Sequence, residues 1–146
     1  MVAAEVPQEA VVGKNYIDIE DDHGHTLRYR KHANGRGLVA HGAKVDATAF
    51  VEAGAYIEPH ARVAAGARIA SGAWIERDAL VGAGAHIDAA AHVASKAVIG
   101  DGAHIGVRTK VGKGAQVATG ARIGDDEIIG DGMTVATDRK GLWLAA

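Results

Sequence analysis

The sequence predicts an all-β fold in which a single chain winds into a parallel β-helix of triangular cross-section, and three observations predict it. An aliphatic β-branched residue returns at every sixth position from Val39 to Val135, seventeen times without a slip. The position four residues after each of these aliphatics is Ala in thirteen of the seventeen hexads, from Ala43 through Ala121. The position three after the aliphatic is Gly in nine of them. A period of six fits neither a 3.6-residue helix nor a two-residue alternation, so the chain must turn a corner every six residues.

One hexad, Val81-Gly82-Ala83-Gly84-Ala85-His86 followed by Ile87, accounts for the geometry. Ala85 and Ile87 are two apart and share one strand face, while His86 between them points to the other. The apolar pair faces inward. The glycines supply the corner, where a positive φ carries no steric cost. Three sides close a coil of eighteen residues, and residues 39–140 make roughly five to six coils stacked about 4.8 Å apart. The interior is then Val and Ile columns beside narrow Ala columns, a dry core stabilised by stacking between coils.

The runs Ile99-Gly100-Asp101-Gly102-Ala103-His104, Val81-Gly82-Ala83-Gly84-Ala85-His86 and Ile129-Gly130-Asp131-Gly132-Met133-Thr134 resemble the hexapeptide-repeat superfamily. That resemblance covers about two thirds of the chain and implies a left-handed parallel β-helix that assembles as a parallel homotrimer. It also implies two chemistries. In the acyltransferases of the superfamily a histidine in the groove between subunits is the general base and CoA lies along that groove. In the gamma-class carbonic anhydrases three histidines from two subunits bind zinc.

The other elements follow in chain order. Residues 1–15 read as an extended arm, without the basic start or apolar run of a signal peptide. Residues 16–38 read as a β-hairpin and connection. Ile17, Ile19, Leu27 and Tyr29 share one face of it, around a turn at Asp21 to His25. An isolated hairpin is marginal in water, so this one should lie on the first coil or on a neighbouring subunit, covering strand edges that would otherwise be open. At the far end the inward small position becomes Glu127, Met133 and Arg139, and residues 141–146, with Trp143, read as a C-terminal cap.

A chain of 146 residues with no cysteine and a net charge of −2 excludes a disulfide framework, a thiolate metal site and a broad basic nucleic-acid surface. No membrane span is expected, and the location expected is the cytoplasm or an assembled particle. The outward residues stack in three columns. One holds Phe50, Arg68, His86, His104, Arg122 and Lys140; the next Tyr56, Trp74, His92, Lys110 and Ile128; the third Lys44, Arg62, Leu80, Val98, Gln116 and Thr134. Tyr56, Trp74, Leu80 and Val98 cluster about one corner and are the expected oligomer interface. His86, His92 and His104 are the candidates for chemistry. Their spacings of six and twelve do not match the carbonic anhydrase pattern, and no insertion interrupts the hexads to build an acceptor pocket. The expectation is therefore a non-catalytic homotrimeric structural or scaffolding protein, a component of a larger shell or virus particle. It would hold no cofactor and no metal, and its arm and hairpin would reach a protein partner. The alternative is a minimal acyltransferase that uses acetyl-CoA, with His86, His92 or His104 as general base.

Overall fold

A computed structural model of the chain describes residues 10–12, 16–20 and 23–136. Residues 1–9, 13–15, 21–22 and 137–146, with Arg139, Trp143 and the cap at 141–146 among them, lie outside the described residues. From Leu38–Ala40 onward a short strand recurs every six residues, ending at Thr134–Val135. These strands fall into three parallel sheets. Six strands form the Trp74 face, six the Leu80 face and five the His86 face. Among the described residues that gives seventeen sides, or five full triangular coils and two sides of a sixth.

The register is the eighteen-residue step read from the sequence: Trp74 pairs with Tyr56 and His92, Leu80 with Arg62 and Val98, His86 with Arg68 and His104. The aliphatic and alanine positions fill the tube. Ile57, Ile69, Ile75 and Ile105 and the alanines Ala55, Ala67, Ala85 and Ala103 have no exposed surface. Among the described residues two inward positions are polar. Thr109 is fully buried; its hydroxyl donates to Gly124 O at 2.6 Å and accepts from Glu127 N–H at 3.1 Å. Glu127 is buried one coil below it, so of the expected capping residues the described part of the structure contains this one, within the stack.

The corner conformation does not depend on glycine. At the fourth hexad position the glycines from Gly42 to Gly132 hold φ between 66° and 96°. His60, Asp78, Ala90, Lys96, Arg108 and Asp126 hold the same left-handed conformation with φ between 58° and 67°. Among the described residues Thr48 is the exception, because its N–H and hydroxyl both donate to Asp46 Oδ1 and its Oγ1 accepts Gly66 N–H at 3.0 Å. Those two donors hold the Asp46 carboxyl below its usual range. Ala90 has no polar side chain to offset a strain of about 1–2 kcal/mol. Ala90→Gly should therefore raise stability in thermal melts by about 0.5–1 kcal/mol, the remainder being lost to glycine's greater freedom in the unfolded chain.

The N-terminal end is closed by the chain itself. β1 (Ala10–Val12), β2 (Tyr16–Glu20) and β3 (Thr26–Lys31) form an antiparallel meander whose last strand pairs with β4 (Leu38–Ala40), so it extends the Trp74 face beyond the first coil. Ile17 lies opposite Tyr29 and Ile19 opposite Leu27, the shared face read from the sequence. Within the segment expected as an arm, residues 10–12 are thus a paired strand. Tyr29 is buried beside Tyr56, 6.1 Å between ring centroids, and burial pushes its hydroxyl pKa up. Among the described residues no strand pairs above Phe50 and Val51 on the His86 face, and residues 33–37 cross there instead. Val51 N–H donates to Asn34 O and Gly37 N–H to Val51 O. A Cβ on Gly35 would lie 2.3 Å from Val51 O, so only glycine admits the loop this close. His32 is buried in this closure, its Nδ1 accepting Asn34 N–H at 3.1 Å.

Candidate functional site

The in-register columns decide which outward side chains meet. His86 and His104 occupy paired positions on adjacent coils of one face, their rings edge to face with centroids 5.6 Å apart. His104 Nε2 is bonded at 2.8 Å to Oδ2 of Asp88, which follows His86 by two residues at the start of the next corner. Ligating atoms of His86, Asp88 and His104 all lie within 4.8 Å of one another. Both members of the His104 and Asp88 pair are about one third exposed, open to a reactant.

His92 is placed apart from this group, on the Trp74 face. The Trp74 ring stacks on it with centroids 4.5 Å apart and planes 9° from parallel, and its Nε2 bonds to Glu76. Glu76 also accepts Ser95 N–H, and Trp74 Nε1 donates to Glu58. With one ring face covered and one nitrogen engaged, His92 is more enclosed than His104. The three carboxylates share one offset, each sixteen residues before the ring it meets. Reading the outward columns alone misses Asp88, Glu58 and Glu76, because they stand one residue beyond the strands. An acid at the second hexad position, one coil above an outward histidine or tryptophan, is the signal that finds them.

The Leu80 face carries an open cleft of about 930 Å³, lined by Arg30 of β3, Lys44 and Arg62 at one end, Leu80 and Val98 along its floor, and Asp101 at the corner toward the His86 face. Cations at one end and an apolar floor suit an elongated anion with an apolar tail. Of the expected interface residues, Tyr56, Trp74 and Leu80 expose 45%, 42% and 41% of their surface, and Val98 is partly covered. Ile128, lower on the Trp74 face, is more exposed still. These apolar groups flank the corner at Glu76 and Arg77.

No protein-family profile and no characterised protein sequence matches the chain. Solved structures do. Perosamine N-acetyltransferase from Caulobacter crescentus, in complex with CoA and GDP-perosamine, is 27% identical over 69% of this chain and 49% of its own, with a TM-score of 0.67. That structure carries a histidine substitution, and a second structure of the same enzyme at 28% identity, with 68% and 48% of the two chains covered, gives the same TM-score. The acetyltransferase domain of PglB from Neisseria gonorrhoeae, with acetyl coenzyme A, shares the fold at 24% identity, a TM-score of 0.70 and coverage of 71% and 51%. The chain is a β-solenoid, and its structural neighbours are hexapeptide-repeat transferases that share this fold. It spans about half the length of the transferases it resembles.

The expectation of a non-catalytic scaffold, a shell or virion component without a cofactor, is overturned by these likenesses, since the perosamine enzyme structures, at 27% and 28% identity, are in complex with CoA. The expectation rested on the missing pocket-forming loop. The physical reason it fails is that the cleft needs no inserted loop: one outward column, Lys44, Arg62, Leu80 and Val98, makes its floor and cationic end, and β3 contributes one wall through Arg30.

Proposed function

We propose that the protein transfers an acetyl group from acetyl-CoA to the amine or hydroxyl of a small acceptor, with His104 as general base. The observation that carries this reading is the pair of His104 and Asp88, exposed on the face adjoining the cleft. Asp88 is the positioning residue: it fixes the ring and engages Nε2, which leaves Nδ1 of His104 to take a proton. The acceptor's nitrogen or oxygen becomes nucleophilic as that proton leaves. CoA, when bound, supplies the acyl group as an activated thioester. Arg30, Lys44 and Arg62 would hold its phosphates and Leu80 and Val98 its apolar arm, a match of charge and polarity to the lining of the cleft. The transferases that resemble this chain make nucleotide-linked amino sugars the first acceptors to try.

The decisive measurement is acetyl-CoA binding by calorimetry, followed by thiol release in the presence of such acceptors. Binding that weakens in Arg62→Glu is the expected result. Failure of the wild-type protein to bind acetyl-CoA overturns the reading.

The working unit in this proposal is a homotrimer that covers the corner between the Trp74 and Leu80 faces, burying Trp74 and turning the cleft over Leu80 and Val98 into a groove between subunits. The exposure of Trp74 and Leu80 in the single chain supports it. In sedimentation, the double variant Trp74→Glu, Val98→Glu should run as a monomer, because it places two carboxylates in a contact repeated around the three-fold axis. A trimer of undiminished strength would move the interface to another corner.

A further inference from the structure

The His86 face holds more than a base and its carboxylate. We infer that His86, Asp88 and His104 together form a binding site for a zinc-class divalent ion, and that the ion, when bound, switches off the acetyl transfer proposed above. The inhibitory half of this inference rests on that proposal; the binding half does not.

Three observations carry it. First, two imidazoles and one carboxylate, each able to give one ligand atom, converge with those atoms within 4.8 Å of one another. Second, the convergence is built by the backbone, since paired strands of adjacent coils set His86 beside His104, and the chain leaving His86 reaches Asp88 after two residues. An ion 2.0–2.1 Å from each ligand in tetrahedral geometry holds ligand atoms about 3.3 Å apart. His104 Nε2 and Asp88 Oδ2 stand at 2.8 Å, so the ion takes the place of the proton between them with a small opening of the pair. Third, a hollow of about 170 Å³, lined by Phe50, Arg68, His86 and Asp88 among others, lies beside the ligands and leaves room for ion-bound water.

The surroundings select the kind of ion. Arg68 and Arg122 are the next residues up and down the column, and the Arg68 guanidinium lies 5.1 Å from the Phe50 ring centroid. With a single carboxylate among these cations, a hard ion such as Mg²⁺, which seeks several oxygen ligands, gains little here. An ion that bonds strongly to imidazole nitrogen gains two such bonds. The proposed general base is one of the ligands. With the ion on Nε2 the ring's remaining proton sits on Nδ1, the atom that would act as base, and Asp88 is engaged by the ion, so a proton can no longer be accepted.

The test uses His86→Ala. His86 is the most exposed of the three ligands and has no part in the proposed transfer. Calorimetric titration of the full-length protein with Zn²⁺ should show saturable one-to-one binding, with no comparable signal for Mg²⁺. In His86→Ala, Zn²⁺ affinity should fall by at least the roughly 10–100-fold seen when even an outer-shell partner of a metal is removed. Acetyl transfer should stop in the wild-type protein at saturating Zn²⁺ and persist in His86→Ala under the same conditions. Absence of saturable Zn²⁺ binding, or binding of equal strength in the variant, overturns the site. Zinc binding lost in the variant together with transfer that Zn²⁺ leaves untouched overturns the inhibition alone. A wild-type protein that binds zinc yet never transfers acetyl groups would defeat the catalytic reading and leave the metal site standing.

Discussion

Replacing His104 with Ala should lower the rate of acetyl transfer by about 10²–10⁴-fold, the range that a positioned general base contributes, while leaving acetyl-CoA affinity within a few-fold of wild type. The two readouts separate because the ring lies on the His86 face and the cleft on the Leu80 face. Asp88→Asn tests the positioning role. It keeps a hydrogen-bonding group beside Nε2 but removes the charge, so its effect on the rate should be smaller than loss of the ring. Equal rates for wild type and His104→Ala would remove this histidine from the mechanism and turn attention to His92.

The largest effect on stability is expected from Ala103→Leu. Ala103 has no exposed surface and sits in the narrow inward column between Ala85 and Ala121. A tube closed on three sides by hydrogen-bonded strands cannot widen for one residue without disturbing all three sheets. Added methylenes in a filled core cost about 1–3 kcal/mol. The melting temperature should fall by about 2–4 °C for each kcal/mol. Ala53→Leu, at an exposed corner position, serves as the control and should change little. An unaltered melting temperature for Ala103→Leu would mean that this column does not face the core.

What could be read from the sequence is what repeats. The six-residue return fixes the inward columns, the eighteen-residue register and the placement of His86 over His104, because every hexad satisfies the same steric conditions as its neighbours. The shared face of Ile17, Ile19, Leu27 and Tyr29 was legible for the same kind of reason, a period of two. What does not repeat was not legible. The closure by residues 33–37 depends on one glycine fitting against Val51 O and on His32 bonding to Asn34, and neither contact has a period. Asp88 and Glu76 escaped notice because their partners lie across a corner, on the next coil, at a separation of sixteen rather than eighteen. The absence of an inserted loop was a poor guide to function, since the cleft is shaped by Leu80 and Val98 standing in line with Arg62 and Lys44.

The unbroken phase turns position along this chain into an address on its surface. Excising residues 87–104, one whole coil, joins His86 to Ile105 and should give a tube about 4.8 Å shorter in which each later residue keeps its face. Excising only residues 93–98 joins His92 to Ile99 and rotates everything after the cut by a third of a turn. His104 and Asp88 would both survive that cut, yet His104 would arrive on the Leu80 face and the pair would be parted. Six residues, none of which touches the reactant, would therefore decide whether the face can work, which makes the count of the chain itself a determinant of its chemistry.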